Sequence, residues 1–347
     1  MERFIGLDAH VSSCTLAVVG PSGRKIRTDV VETSARALIA YVRMIGASSR
    51  VCLEEGTLSD WLYEVLSPHV AEVVVMGQNQ RRQGQKSDAV DALELAQRLR
   101  RGDIAVHVYK AGGQYQRLRA LTRTYGKLQR DQTRLKNRLM WLYHSRGIHP
   151  EDNSVYSEKG RSSWVKRCPV AIRPALLVQY AALDALAPVV ADCEEQLLRE
   201  VHSHAIAHVL MTCPGIGPRW AAELIATVVN PYRFRTKRQL WAYSGLGIVT
   251  HSSSDWVQQQ GRWVRANVAQ CRGLTRQHNR TLKTVFKSAA MVVSVRVKLD
   301  HPLRQYYEHL LHKGTKPNLA QLTLARKIAA IVLAMWKNNQ EFNSALI

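Results

Sequence analysis

Phe4-Ile5-Gly6-Leu7-Asp8, an apolar run that ends on a carboxylate, is the stretch from which the N-terminal region is read. Arg3–Leu7 is the first strand of a meander whose second and third strands are Thr15–Val19 and Lys25–Val31, the last two joined through a Pro21-Ser22-Gly23 turn. The period then changes. Thr33–Met44 reads as a helix with Ser34 as its cap and Leu38, Ile39 and Val42 as its apolar face. Arg50–Leu53 is a strand, Ser59–Leu66 a helix, Ala71–Met76 a strand and Asp88–Leu99 a helix.

Three antiparallel strands followed by helix, strand, helix, strand and helix is the element order of an α/β ribonuclease H-like fold. A dinucleotide-binding reading fails, since no Gly-x-Gly-x-x-Gly follows the first strand. Within this order four acids stand where a metal centre needs them. Asp8 ends the first apolar run, Glu54 ends Val51-Cys52-Leu53, and Asp88 and Asp91 lie three apart at the head of a helix, so they project from one side of it. Singly, each has a plain explanation: a strand-end turn for Asp8, or helix N-terminal charge worth under ~1 kcal/mol for the aspartate pair. Together, in a chain with 49 Lys+Arg against 27 Asp+Glu, they are best explained as ligands of a divalent cation. Hard oxygen donors suit magnesium, and no His or Cys enters this set. Such a cation would polarise a scissile phosphate.

The charge balance agrees. A formal net charge of +22 over 347 residues points to a polyanionic partner, and nucleic acid is the first candidate. A membrane surface is the weaker one, because the longest apolar run, Ile328–Trp336, falls short of the roughly 18 residues of a membrane span. Met1-Glu2-Arg3-Phe4 opens a strand rather than a signal peptide. The six cysteines (14, 52, 168, 193, 213, 271) form no Cys-x-x-Cys pair and read as reduced, mostly buried thiols of a cytoplasmic protein. His202, His204 and His208 read as a polar helix face before they read as a metal site.

Three regions follow: 1–110, 111–208 and 209–347. In the second, Leu118, Leu121, Tyr125, Leu128, Leu135, Leu139 and Leu142 recur at heptad spacing, which predicts a coiled coil with another helix of the chain or with a second copy. Its flanks carry nine Lys/Arg, Arg134 and Arg138 among them, against the single acid Asp131, and suit a phosphate backbone. Residues 151–175 read as irregular and about 181–208 as one further helix.

The third region reads as mainly helical with one long polar interruption. Its Cys213-Pro214-Gly215-Ile216-Gly217-Pro218 resembles a helix-hairpin-helix turn, in which Gly215 and Gly217 would present backbone N–H groups to a phosphate; a plain Gly/Pro turn is the other reading. From Trp256 to Leu299 there are nine Lys/Arg and no carboxylate. Arg272, Arg276 and Arg280 recur every four residues and predict one side of a helix. Trp256 and Trp263 are interleaved with Arg262 and Arg265, which suits base stacking, although each tryptophan taken alone is better read as core. His251-Ser252-Ser253-Ser254-Asp255 is, on composition, a loop.

Taken in order, Phe4–Asp8, Cys52-Leu53-Glu54, Lys86–Ala92, Pro214–Gly217 and Leu240–Leu246 leading to Ser252-Ser253 resemble the DEDD transposases of bacterial insertion sequences, the group that includes the Piv-type DNA invertases. The resemblance spans nearly the full length. It implies a RuvC-like nuclease domain, a coiled coil and a C-terminal transposase domain. It also implies magnesium held by Asp8, Glu54, Asp88 and Asp91, and a serine that attacks the DNA phosphodiester to give a phosphoserine link. Such enzymes are guided by a structured RNA from the element's flank, resolve their strands through a junction, and assemble sites between subunits of a dimer or pair of dimers. By position, eight residues after Gly245, the matching nucleophile is Ser253; Ser254 stands where the family usually has glycine, which keeps Ser252 and Ser254 as alternatives. The competing functions are a junction-resolving nuclease of the same fold that uses water, and a non-catalytic nucleic-acid scaffold.

Overall fold

The computed structural model describes residues 2–77, 87–104, 107–108, 113, 115–251, 256–265, 271–275 and 277–346. The chain forms two compact units, Met1–Gln114 and Tyr115–Ile347, so the middle region of the sequence reading lies almost entirely with the second.

In the first unit the elements are β1 (Arg3–Ala9), β2 (Ser13–Val19), β3 (Lys25–Glu32), α1 (Ala35–Ile45), β4 (Ser49–Glu54), α2 (Ser59–Leu66), β5 (Glu72–Met76), α3 (Asp88–Arg101) and β6 (His107–Val108). The sheet order is β3-β2-β1-β4-β5-β6, with β1, β4 and β5 parallel and the others antiparallel to their neighbours. Parallel neighbours need crossovers, and α1 and α2 supply them. The predicted cap holds: Ser34 Oγ accepts the Ala37 N–H at 3.3 Å. Helices on both faces explain why β1, β2, β4 and β5 are nearly continuous in apolar residues, whereas the edge strand β3 is not. Ile5, Leu7, Val51, Leu53, Val73 and Val75 pack with Leu38, Tyr41, Val42, Leu62 and Leu66. On the opposite face Phe4, Cys52, Val74 and Met76 pack with Leu95, Ala96 and Leu99 of α3.

The second unit begins with α4 (Gln116–His144), followed by α5 (Glu158–Arg167), α6 (Arg173–His202), α7 (Ala205–Met211), α8 (Pro218–Val228) and α9 (Lys237–Tyr243). Four short strands come next, β7 (Ile248–His251), β8 (Trp256–Gln259), β9 (Arg262–Arg265) and β10 (Cys271–Leu274). The chain then continues through α10 (Arg280–Arg296), α11 (Pro302–His312) and α12 (Pro317–Asn338). The heptad seam of α4 is paired within the chain: Leu118 and Tyr125 share a core with Val190, Cys193, Leu197 and Val201 of α6. Farther along, Leu139 and Tyr143 pack with Leu176, Tyr180 and Leu183. There the two phenol oxygens lie 2.9 Å apart and Tyr180 donates to the Val155 carbonyl at 2.7 Å, so both buried hydroxyls are satisfied.

Several expectations are corrected. Residues 151–175 are not irregular: they contain α5, capped by Ser157 Oγ on the Gly160 N–H, and the start of α6 with Pro174 in its first turn. The helix expected over 181–208 ends at His202; extended backbone at His204 breaks it, and α7 starts afresh. The arginine row is not one helix. Arg272 lies on β10, which pairs with β7 through Gly273↔Val249, and Asn279 caps a new helix that begins at Arg280; Arg276 is outside the described residues. Val170–His202 and Pro317–Asn338 are each long and apolar enough by composition to cross a membrane, although neither is an uninterrupted apolar run. The second buries Ala320, Leu324, Ala325, Ile328 and Val332 in the core of its unit, and the first packs on α4 as described.

Candidate metal centre

Strand alternation decides which face each acid occupies. Phe4, Gly6 and Asp8 share one face of β1, and that face is covered by α3. Glu54 ends β4, the parallel neighbour of β1 in the register Leu7↔Leu53, and shares the face of Cys52. On α3, Asp88, Ala92 and Ala96 form an i, i+4, i+8 row. Gly6 is the point where helix and sheet meet, since a Cβ there would stand 1.9 Å from the Ala92 carbonyl oxygen and 2.5 Å from the Ala96 nitrogen. One step beyond that contact in each element stand Asp8 and Asp88. The absence of a side chain at Gly6 is therefore what sets the spacing of these two carboxylates.

Between them lies a residue that the sequence reading left out. His10 Nε2 is 3.4 Å from Asp8 Oδ2 and 3.3 Å from Asp88 Oδ2. One ligand atom from each of Asp8, His10 and Asp88 lies within 4.8 Å of the others, a spacing that fits a single divalent cation. The carboxylate-only set expected from the sequence thus has an imidazole at its edge. In the sequence His10 stands two residues after Asp8 but just past the end of β1, so strand alternation does not mark it. Its backbone is pinned, with the N–H donated to the Ser13 carbonyl at 3.0 Å and the carbonyl accepting the Thr33 hydroxyl at 2.8 Å. Glu54 and Asp91 share the same face and end of the sheet, but they stand outside this three-residue group. Burial, with the Glu54 charge second, pushes the Cys52 thiol up to about 12, so it remains a protonated core group beside the centre.

The other predicted residues fall in the second unit. Ser253, with Ser252 and Ser254, lies outside the described residues. Arg134 and Arg138 are exposed, and with Arg123, Lys127 and Arg130 they form an exposed row opposite the packed seam, about 22 Å long at 1.5 Å per residue. Arg262 is exposed on β9, Arg280 opens α10, and Arg265 and Arg272 are placed on β9 and β10 by their backbones. Trp256 and Trp263, each read singly as core, are 57% and 65% exposed. They share one face of the β8–β9 hairpin, whose register pairs Gln258 with Trp263. Gly215, in the turn between α7 and α8, has φ +86° and an ideal Cβ 2.6 Å from the Ala289 carbonyl, so packing on α10 alone requires a glycine there. Gly217 is open on its Cβ side and caps α8.

Beside that turn is a cavity of about 760 Å³ lined by Tyr125, Leu197, Met211, Ile216, Trp220 and Glu223. Burial raises the Glu223 carboxyl from 4.5 to about 7, against a smaller opposing effect of Arg130. The folded state thus holds this proton more tightly than the unfolded chain. The associated stability is complete below about pH 4.5 and is lost as pH rises through about 7. Glu223→Gln should match the native protein in urea unfolding at pH 4 and exceed it by about 2 kcal/mol at pH 8. Equal midpoints at pH 8 would refute the buried-carboxyl assignment.

Comparison with known proteins gives matches in both units. Residues 5–142 match a family model described as "Transposase", of the DEDD type named for IS110, and residues 207–308 match one described as "Transposase IS116/IS110/IS902 family". The chain is 30% identical over 154 residues to the insertion element IS110 uncharacterized 43.6 kDa protein of Streptomyces coelicolor, covering 44% of this chain and 34% of that relative. It is 25% identical over 167 residues to the insertion element IS116 uncharacterized 44.8 kDa protein of Streptomyces clavuligerus, covering 48% and 37% respectively. The matched region thus spans about a third of the length of either relative.

Proposed function

Because the chain belongs to the IS110/IS116 family of transposases, we propose that it cuts and rejoins DNA strands with a metal-binding carboxylate centre and a serine nucleophile. The observation that carries this reading is the meeting of Asp8 and Asp88 at the open end of a ribonuclease H-like sheet, in a chain of net charge +22.

Asp8, Glu54, Asp88 and Asp91 would hold the cation, with magnesium as the natural occupant of a carboxylate set. When bound, the ion polarises the scissile phosphate and stabilises the oxygens that gain charge. The remaining steps belong to the chain's own residues. Ser253 Oγ forms a bond to phosphorus while one phosphodiester P–O bond breaks, and the hydroxyl proton passes to the departing deoxyribose oxygen. One ester replaces another, so rejoining is the same step in reverse and needs no external energy source. The exposed basic row of α4 neutralises phosphates along the duplex or along a structured guide RNA. Gly217, at the head of α8, and the arginines from Arg262 to Arg280 would add further contacts. The protein would work in the bacterial cytoplasm as a homodimer or dimer of dimers, on element ends and target DNA.

The test is a donor plasmid carrying the element ends, incubated with protein and magnesium and assayed for excision and for protein–DNA adducts. Wild type should give both. Ser253→Ala should abolish the adduct, and an adduct that persists would move the nucleophile to Ser252 or Ser254. Hydrolytic cleavage indifferent to Ser253 would instead establish the junction-resolving nuclease. Sequencing the nucleic acid that copurifies with the protein tests the RNA guide.

A further inference from the structure

We propose that His10 supplies a nitrogen ligand to the cation held by Asp8 and Asp88, which makes the centre a mixed oxygen–nitrogen site that takes manganese(II) more tightly than magnesium. The inference rests on the metal-centre reading above.

Geometry is the first argument. The imidazole Nε2 faces one oxygen of each carboxylate at 3.4 and 3.3 Å, and the three donor atoms fall within 4.8 Å of one another. Adjacent ligands in a six-coordinate shell with bonds of about 2.1 Å lie about 3.0 Å apart. The imidazole thus stands within a few tenths of an ångström of that spacing from each carboxylate, while the two carboxylate oxygens lie no more than 4.8 Å apart, against about 4.2 Å for opposite ligands of the same shell.

The second argument is that nothing structural requires the side chain there. It is 49% exposed, so it makes no core. As a surface ion pair with either aspartate it would contribute no more than about 1 kcal/mol. Its backbone, by contrast, is fixed on both sides by Ser13 and Thr33, which holds the imidazole over the carboxylates at little further entropic cost.

Donor chemistry supplies the preference. Magnesium demands oxygen and gives up its waters reluctantly, whereas imidazole nitrogen is a good donor to first-row transition metals. Manganese(II) is the weakest nitrogen binder of that series, yet it accepts imidazole more readily than magnesium does, so one nitrogen in an otherwise carboxylate site favours it by about tenfold.

The experiment uses the full chain loaded with manganese(II). Pulsed electron paramagnetic resonance should show ¹⁴N modulation from a directly bound imidazole in the wild type. His10→Ala should lose that modulation, weaken manganese(II) binding by about tenfold or more, and change magnesium binding, read by competition, by less than about threefold. His10→Gln, which keeps a polar side chain but no imidazole, covers the case in which alanine disturbs the β1–β2 turn; it should fold normally and also lack the nitrogen signal. Manganese(II) that binds, is lost in Asp8→Asn, and shows no ¹⁴N coupling would overturn the role of His10 while leaving the carboxylate centre standing. A nitrogen signal that survives in His10→Ala would overturn it as well. Failure of the wild type to bind manganese(II) at all would sink this inference and the metal centre together.

Discussion

Asp8→Asn should lower strand cleavage by roughly a thousandfold or more and leave the first unit folded. Cations that polarise a phosphoryl oxygen contribute several kcal/mol to its transition state, and each 1.36 kcal/mol is about tenfold in rate. Asparagine keeps the volume and one oxygen but loses the charge that a hard cation needs. Asp8 is the most exacting place for this change because it sits on a strand of the central sheet, with Ile5 and Leu7 fully buried behind it, so the backbone cannot shift to recover the ligand. Stability should move the other way. Two carboxylates near one imidazole repel each other, and removing one relieves that cost, so the variant should melt no lower than wild type in metal-free buffer. The measurement is initial cleavage rate on the donor plasmid at saturating magnesium, paired with a thermal melt. A rate above a tenth of wild type would exclude Asp8 as an essential ligand, and a large drop in melting temperature would show that any lost activity comes from misfolding.

How far the sequence could be read depends on how much each element buries. The sheet of the first unit was legible because its strands lie between layers of helices and their apolar runs are long. The positions of Asp8 and Glu54 followed from the ends of those runs, and those of Asp88 and Asp91 from the head of a helical stretch. His10 was not read, because a histidine on an exposed turn leaves no periodic trace and its meaning depends on Asp88, 78 residues farther on. In the second unit the seam of α4 was legible as a stripe, while its partner was open between another helix and a second copy; only packing showed that Val190, Cys193, Leu197 and Val201 of α6 complete it. The helix α5 was missed because it buries none of its residues. The strands β7 to β10 were missed for a related reason: they are four residues each, and β8 is exposed throughout, so no alternation marks them. The fourfold spacing of Arg272, Arg276 and Arg280 imitated a helix because charge periodicity, unlike apolar periodicity, carries no requirement for burial.

Gly6→Ala, a single added methyl group, should destabilise the first unit by at least about 3 kcal/mol and abolish manganese(II) binding. The reason lies in what the new Cβ would meet: the Ala92 carbonyl oxygen at 1.9 Å, the Ala96 nitrogen at 2.5 Å and the Leu95 Cβ at 2.9 Å. Two of these are backbone atoms inside a helical turn, which no side-chain rotation can move aside. Relief requires α3 to lift from the sheet. That motion would uncover Leu95, Ala96 and Leu99, which fill the core on this face, and would carry Asp88 away from Asp8. The structural and functional losses thus have one cause, and the contact can be tested directly. Ala92→Gly should give no rescue, because it removes a side chain and leaves the obstructing carbonyl where it was. Restoration of the unfolding midpoint by Ala92→Gly would show that side chains, not backbone, set the distance between helix and sheet, and the account of how the two aspartates are spaced would then have to be abandoned.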